Sequence, residues 1–392
     1  MQSHGTNRKA ELLATYGATA AEIEELLVYN QNNFDTITPP AQQTFPLESE
    51  PHLAAWENYY AQAQTIGAFE ALRSCLVQLQ FPIQAGISQT ENYRAATRRG
   101  QSTEGMPEAI GLGLQHPDRL QLIIHPTLVG AIPVIIAGCR ADFIALVQAL
   151  ICRNEPDPIP DSMGAVIVGG YNNWDRVQQY RHTWEVQQTQ SVSEADWQAE
   201  FQRLIPQKSL YQDRFILMSR GEYSGVSAAA LGMTEAEWQA YSLTIRLEHE
   251  CCHYFTRRVF GSMRNNALDE LIADYQGITA VNGGRYRSDW FLQFVGLEAF
   301  PDYREGGRLQ NYRGTLPLSD GAFRILQRLV KEAAENLEQF NTEHLAELQT
   351  PANRAQFLMR LTSFTLEDIA DRHQAWLEKA WSAVIAAPPT RS

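Results

Sequence analysis

The chain has 392 residues, enough for two packed units with a large core. Its 44% hydrophobic and 20% charged content, with 8 Trp, 15 Tyr and 16 Phe, excludes a disordered or low-complexity protein. A formal charge of -13, from 32 Lys and Arg against 45 Asp and Glu, argues against nucleic acid or a membrane surface as partner, since no basic patch of useful length offsets it.

The amino terminus, Met1-Gln2-Ser3-His4-Gly5, has neither a charged region before an apolar stretch nor a small-residue cleavage site, so no export signal is read. Cys75, Cys139, Cys152, Cys251 and Cys252 do not spell a disulfide framework, so a reducing cytoplasm is the expected compartment. From Ala18 to Tyr29, Ile23, Leu26 and Leu27 recur at helical spacing, and a Thr/Pro-rich linker with Pro39-Pro40 follows. A single helix is predicted from about Pro51 to Leu79, with Leu53, Trp56, Tyr60, Ala63, Ile66, Phe69, Leu72 and Leu76 on one side. The polar region Gly86 to Gly113 has no periodicity that assigns it.

Strands are then expected at Leu120–Ile124, Ile132–Ala137, Ala165–Val168 and Phe215–Ser219, with helices at Asp142–Ile151 and Trp174–Val186. His125, Pro126, Thr127 and Pro133 interrupt the apolar run Leu122 to Cys139, which therefore reads as two strands and a turn, not a spanning helix. Beyond Thr234, whose Glu237 partner makes a capping box, almost everything reads as helix except the Gly/Arg/Tyr-rich stretch from Asn282 to Thr315. The tail from Pro388 to Ser392 is expected to fray. The expected class is α+β: a helical arm (1–82), a sheet-containing α/β unit (83–233) and a mostly helical unit (234–387), with a metal site in the cleft between the last two.

The chemistry sits in Arg246-Leu247-Glu248-His249-Glu250-Cys251-Cys252-His253, an H-E-x-x-H pattern inside the predicted capped helix. At about 100° per residue, His249 and His253 point within about 40° of each other, so both imidazoles can hold one cation. Glu250 lies about 100° round from His249, where it suits a general base acting on a metal-activated water better than it suits a ligand. Catalytic zinc takes three protein ligands and leaves a position open. Glu270, on the next helical pattern, supplies the third if the chain turns back around Gly261 to Asn266. Asp274, four residues on and on the same face, is placed to accept the free ring N–H of a ligating histidine.

H-E-x-x-H followed on the next helix by E-x-x-x-D resembles the gluzincin, or thermolysin-like, zinc metallopeptidases. The resemblance spans residues 249 to 274 and extends to a sheet-containing unit before the histidine helix and a helical unit after it. It departs in a shorter gap between His253 and Glu270 and in cysteines at both middle positions of the motif. It implies one Zn2+ per chain on His249, His253 and Glu270, Glu250 as general base, Asp274 behind a ligand, and a peptide or protein substrate.

An oxyanion donor is then required, for which Arg285, Tyr286, Tyr303, Tyr312 and Arg313 are the candidates downstream. Glu222, Tyr223, Ser224 and Gly225 stand where such enzymes often present an edge strand to an extended peptide, and are candidates for substrate binding by that analogy. Cys252 projects toward the histidine face and could approach the metal. The alternatives to a zinc hydrolase are a catalytically silent metal-binding or interaction protein, and a processing factor dedicated to one partner protein.

Overall fold

The computed structural model describes residues 2–32, 34, 44–188, 191–262 and 266–385. The Pro39-Pro40 linker, part of the Gly261 to Asn266 turn and the tail from Pro388 lie outside them. The chain divides into two units, Glu48–Gly221 and a discontinuous one made of Met1–Leu47 with Glu222–Ser392. This differs from the three-part division expected at residues 82 and 233. The arm is split at residue 47, because its first segment packs into the helical unit and the rest into the sheet unit.

The discontinuous unit opens with α1 (Gln2–Thr15) and α2 (Ala20–Tyr29). Thr19 and Glu22 form a reciprocal capping box at the start of α2.

In the sheet unit, α3 (Leu53–Ile66) and α4 (Ala68–Cys75) replace the single helix expected there. Gly67, at φ 87° and ψ 150°, breaks it, a conformation open to glycine and costly for other residues. The apolar stripe is broken with it: Trp56 and Leu72 are fully buried, whereas Ile66 is 54% exposed. The unassigned polar region contains α5 (Glu91–Arg99), capped by Thr90. Then follow β1 (Gln121–His125), β2 (Ile132–Ile136), α6 (Arg140–Leu150), β3 (Ala165–Asn172), α7 (Trp174–Gln187), α8 (Glu194–Leu204) and β4 (Gln212–Met218).

The sheet runs β1-β2-β4-β3, with β2 and β4 parallel and both outer pairs antiparallel. Its apolar face, with Leu122, Ile135, Phe215 and Leu217, packs with Trp56, Leu72, Phe143 and Leu146 of the helices. A buried ion pair, Arg176 Nη1 to Asp213 Oδ1 at 2.5 Å, ties α7 to β4. Trp56 Nε1 and Asn173 Nδ2 donate to the other oxygen of Asp213. The Gly169-Gly170 pair is a bulge within β3, and the helix cap is Asn173, whose side chain accepts from Asp175 and Arg176.

The discontinuous unit resumes with α9 (Glu235–Phe260), α10 (Ala267–Val281), α11 (Ser288–Val295), α12 (Asp320–Glu343), α13 (Pro351–Leu361), α14 (Leu366–Ala370) and α15 (Trp376–Ile385). The fold class is thus α+β, as the patterning predicts. Among the described residues no helix is long and apolar enough to cross a membrane.

The pair α9 and α10 positions the chemistry. Thr234 and Glu237 cap α9 reciprocally, Gly261 at φ 68° ends it, and the Asn266 side chain caps α10 by accepting from Leu268 and Asp269. The helices run antiparallel, since Ile245 meets Gly277, His249 meets Asp274 and His253 meets Glu270. A Cβ at Gly277 would stand 2.7 Å from the Ile245 carbonyl oxygen, so only glycine permits this approach.

Candidate metal centre

His249, His253 and Glu270 converge, each less than a tenth exposed, with donor atoms all within 4.8 Å of one another. The two Nε2 atoms are 3.1 Å apart, and Glu270 Oε2 and Oε1 lie 3.5 Å from His249 Nε2 and His253 Nε2. Two ligands at zinc's usual bond lengths and a tetrahedral angle stand about 3.4 Å apart, so the three separations suit one small cation. Glu270 Oε2 is buried without a hydrogen-bond partner, a cost that a cation at this point would relieve. The donor set of two nitrogens and one carboxylate therefore fits zinc. All of it comes from the discontinuous unit.

Behind the donors lies a polar network. Asp274 is fully buried and its Oδ1 is 2.8 Å from His249 Nδ1, as the E-x-x-x-D spacing predicts. With Nδ1–H donated to the carboxylate, the lone pair of His249 is fixed at Nε2, facing the other donors. The Tyr223 hydroxyl donates to the same Asp274 oxygen at 2.5 Å and lies 2.9 Å from His249 Nδ1. Arg308 closes the network: Nη2 pairs with Asp274 Oδ2, and Nη1 donates to Tyr223 Oη at 2.9 Å and Ser224 Oγ at 3.0 Å. Burial works against an Asp274 carboxylate, yet the charge of Arg308 and the hydrogen bond of His249 hold its pKa below the ordinary value.

Sequence reasoning missed Arg308. It lies in the Gly/Arg/Tyr-rich stretch on a 3-10 turn, Arg308–Tyr312, and no spacing links it to the histidines. Tyr312 ends that turn and, of the five oxyanion candidates, is the one that reaches a donor carboxylate. Burial pushes its phenol well above the usual pKa, Arg308 opposes this, and the charge and hydrogen bond of Glu270 add to it. The phenol stays protonated and can donate.

The other candidates are engaged elsewhere. Tyr286 is buried against Tyr275 with ring centroids 5.2 Å apart, and Tyr303 donates to the Gly307 carbonyl. Arg313 is held by Asp320 at 2.8 Å over the Phe323 ring, and Arg285 is exposed.

The edge strand expected at Glu222 to Gly225 is instead a 3-10 turn, Tyr223–Gly225, with Ser224 at φ 53°. Its backbone is committed inward, Tyr223 N–H donating to Ser242 Oγ and the Glu222 carbonyl accepting from Arg246. Tyr223 thus orients His249 through Asp274 instead of pairing with an extended peptide.

Glu250 is half-buried beside this group and is not among its three donors. Burial and neighbouring carboxylates push the Cys251 and Cys252 thiols well above their usual pKa, which disfavours the thiolate that metal ligation needs.

In the metal-free chain His253 holds a proton at neutral pH. Burial lowers its pKa, but the hydrogen bond and charge of Glu270, then Glu250 and Asp269, raise it to about 9. The proton stabilises the metal-free fold below the unfolded value of 6.5, and that contribution is lost as pH rises through about 9. A cation must displace it, so zinc affinity should rise about tenfold per pH unit between about pH 7 and 9 and then level off. Competition titrations at several pH values measure this, and a flat affinity across the interval would contradict it.

A model for a family of unknown function, DUF7005, matches residues 11–373. The chain belongs to this family. The match takes in α2, the sheet unit, most of the discontinuous unit, the donor set and the Arg308–Tyr312 turn. No curated protein and no solved structure matches the chain.

Proposed function

We propose that this DUF7005 member is a zinc-dependent hydrolase that cleaves a peptide or amide bond, with one zinc per chain on His249, His253 and Glu270. The observation that carries this reading is three buried donors at near-tetrahedral separations beside a carboxylate, Glu250, outside the donor set. A purely structural site has no use for that extra carboxylate. The order of roles along α9 and α10 is similar to that of the gluzincin peptidases.

When bound, zinc supplies Lewis acidity toward water and a substrate carbonyl oxygen. The Glu250 carboxylate accepts the proton of the attacking water and passes it to the leaving nitrogen. Asp274 keeps His249 in the tautomer with its lone pair at Nε2, and Tyr223 and Arg308 keep Asp274 ionised. The Tyr312 hydroxyl donates to the negative charge that develops on the carbonyl oxygen. The five cysteines are free thiols, which suits a cytoplasmic enzyme acting on peptides or on a partner protein.

Metal analysis of the purified chain beside Glu270→Ala tests this reading, together with hydrolysis of a mixed peptide library. About one zinc per wild-type chain, lost in the variant, is expected. A wild type free of metal would sink it, and iron in place of zinc, which the same donors suit, would overturn the hydrolase assignment.

A further inference from the structure

We infer that Tyr29, in the amino-terminal arm, is a positioning residue for the donor set, an inference that rests on the metal-binding role proposed above. α2 ends at Tyr29, whose hydroxyl accepts from the Ala267 N–H at 3.0 Å and donates to the Tyr312 carbonyl at 2.6 Å. Ala267 is the first residue of α10, one turn before Glu270, and Tyr312 closes the 3-10 turn that Arg308 opens. One phenol therefore spans the two segments that carry the third donor and the groups around it.

The first N–H of a helix has no partner within the helix, so without this hydroxyl the Ala267 amide loses its partner. Tyr312 loses one as well. Because Arg308 and Tyr312 share one short turn, a shift of the Tyr312 backbone moves both the guanidinium on Asp274 and the phenol near Glu270. Burial pushes the Tyr29 phenol above its ordinary pKa, so it remains a donor.

Independent contacts hold the arm against the same segment. Glu25 Oε2 accepts from the Ser319 N–H at 2.8 Å, at the cap of α12. A Cβ at Gly314 would stand 3.3 Å from the Tyr29 ring, and one at Gly321 would collide with the Glu22 carboxylate. Glycine at 314, which is also at positive φ, suits this close approach of the Tyr29 ring. The arm thus grips residues 312 to 321 at several points, and Tyr29 carries that grip across to α10.

Tyr29→Phe in the full chain removes only the hydroxyl. Cobalt(II) titrated into the metal-free variant should bind about tenfold more weakly than in wild type, with a shifted visible spectrum. Without metal, amide exchange at Ala267 to Glu270 should speed up about tenfold while α12 keeps its protection. Leu377→Ala, a buried packing change on α15 in the same unit, outside the arm and the donor set, is the control and should leave cobalt affinity, spectrum and α10 exchange unchanged. Wild-type values in Tyr29→Phe would overturn the inference, as would equal losses in Leu377→Ala. If wild type takes up no cobalt, the metal reading itself fails, and the exchange result alone decides whether Tyr29 holds the donors in place.

Discussion

Glu250→Gln is expected to retain zinc and lose turnover by a factor on the order of 10² to 10⁴. The amide is close in size to the carboxylate but cannot take a proton from water, and Glu250 is not among the three donors. Steady-state kinetics beside metal content separates the roles: kcat falls while zinc per chain holds. His253→Ala should do the reverse and release the metal. Unchanged turnover in Glu250→Gln would remove this residue from the mechanism.

The second large effect is on stability. Arg308→Met should destabilise the fold by about 3 kcal/mol at pH 7, at the lower end of what breaking a buried ion pair costs. The lower end applies because Asp274, fully buried, keeps two other donors, His249 Nδ1 and the Tyr223 hydroxyl. Asp274 has a pKa held below the ordinary 3.8 of an aspartate, so its contribution is present above that value and is lost as pH falls through the folded one. In the variant that pKa rises, so the deficit should shrink as pH falls toward 3. Urea unfolding at pH 7 and near pH 3 measures both quantities. A difference of less than about 0.5 kcal/mol at pH 7 would mean that Arg308 is not what compensates Asp274.

The residues that were legible in the sequence are those whose partners are local. Thr234 and Glu237 announce α9, the fourfold spacing puts His249 and His253 together, and the same spacing ranks Glu270 with Asp274 over Asp269. All of this follows from helix geometry alone. The antiparallel seating of α10 depends instead on Gly277 meeting a carbonyl of another helix, which no single-helix pattern contains.

Arg308 and Tyr29 were illegible for the same reason. Arg308 lies 34 residues from Asp274, and Tyr29 lies 238 from Ala267 and 283 from Tyr312. Nor does the apolar spacing mark the break in the first long helix. Ile66 and Tyr60 fit the stripe, yet Gly67, at positive φ, redirects the chain and leaves them at the surface. At Tyr223 the family analogy supplies an edge strand where the chain makes a tight turn around a buried phenol.

The interrupted unit also constrains the order of events during translation. Residues 1–47 are made before the sheet unit, but Asn30 finds Glu367, Arg8 finds Asp371 and Tyr29 finds Tyr312 only after that unit and the following helices have been made. The intervening sheet unit can fold meanwhile as a segment of its own. The arm's contacts with Tyr312, Glu367 and Asp371 therefore close only after the segments that carry His249, His253 and Glu270 have been synthesised.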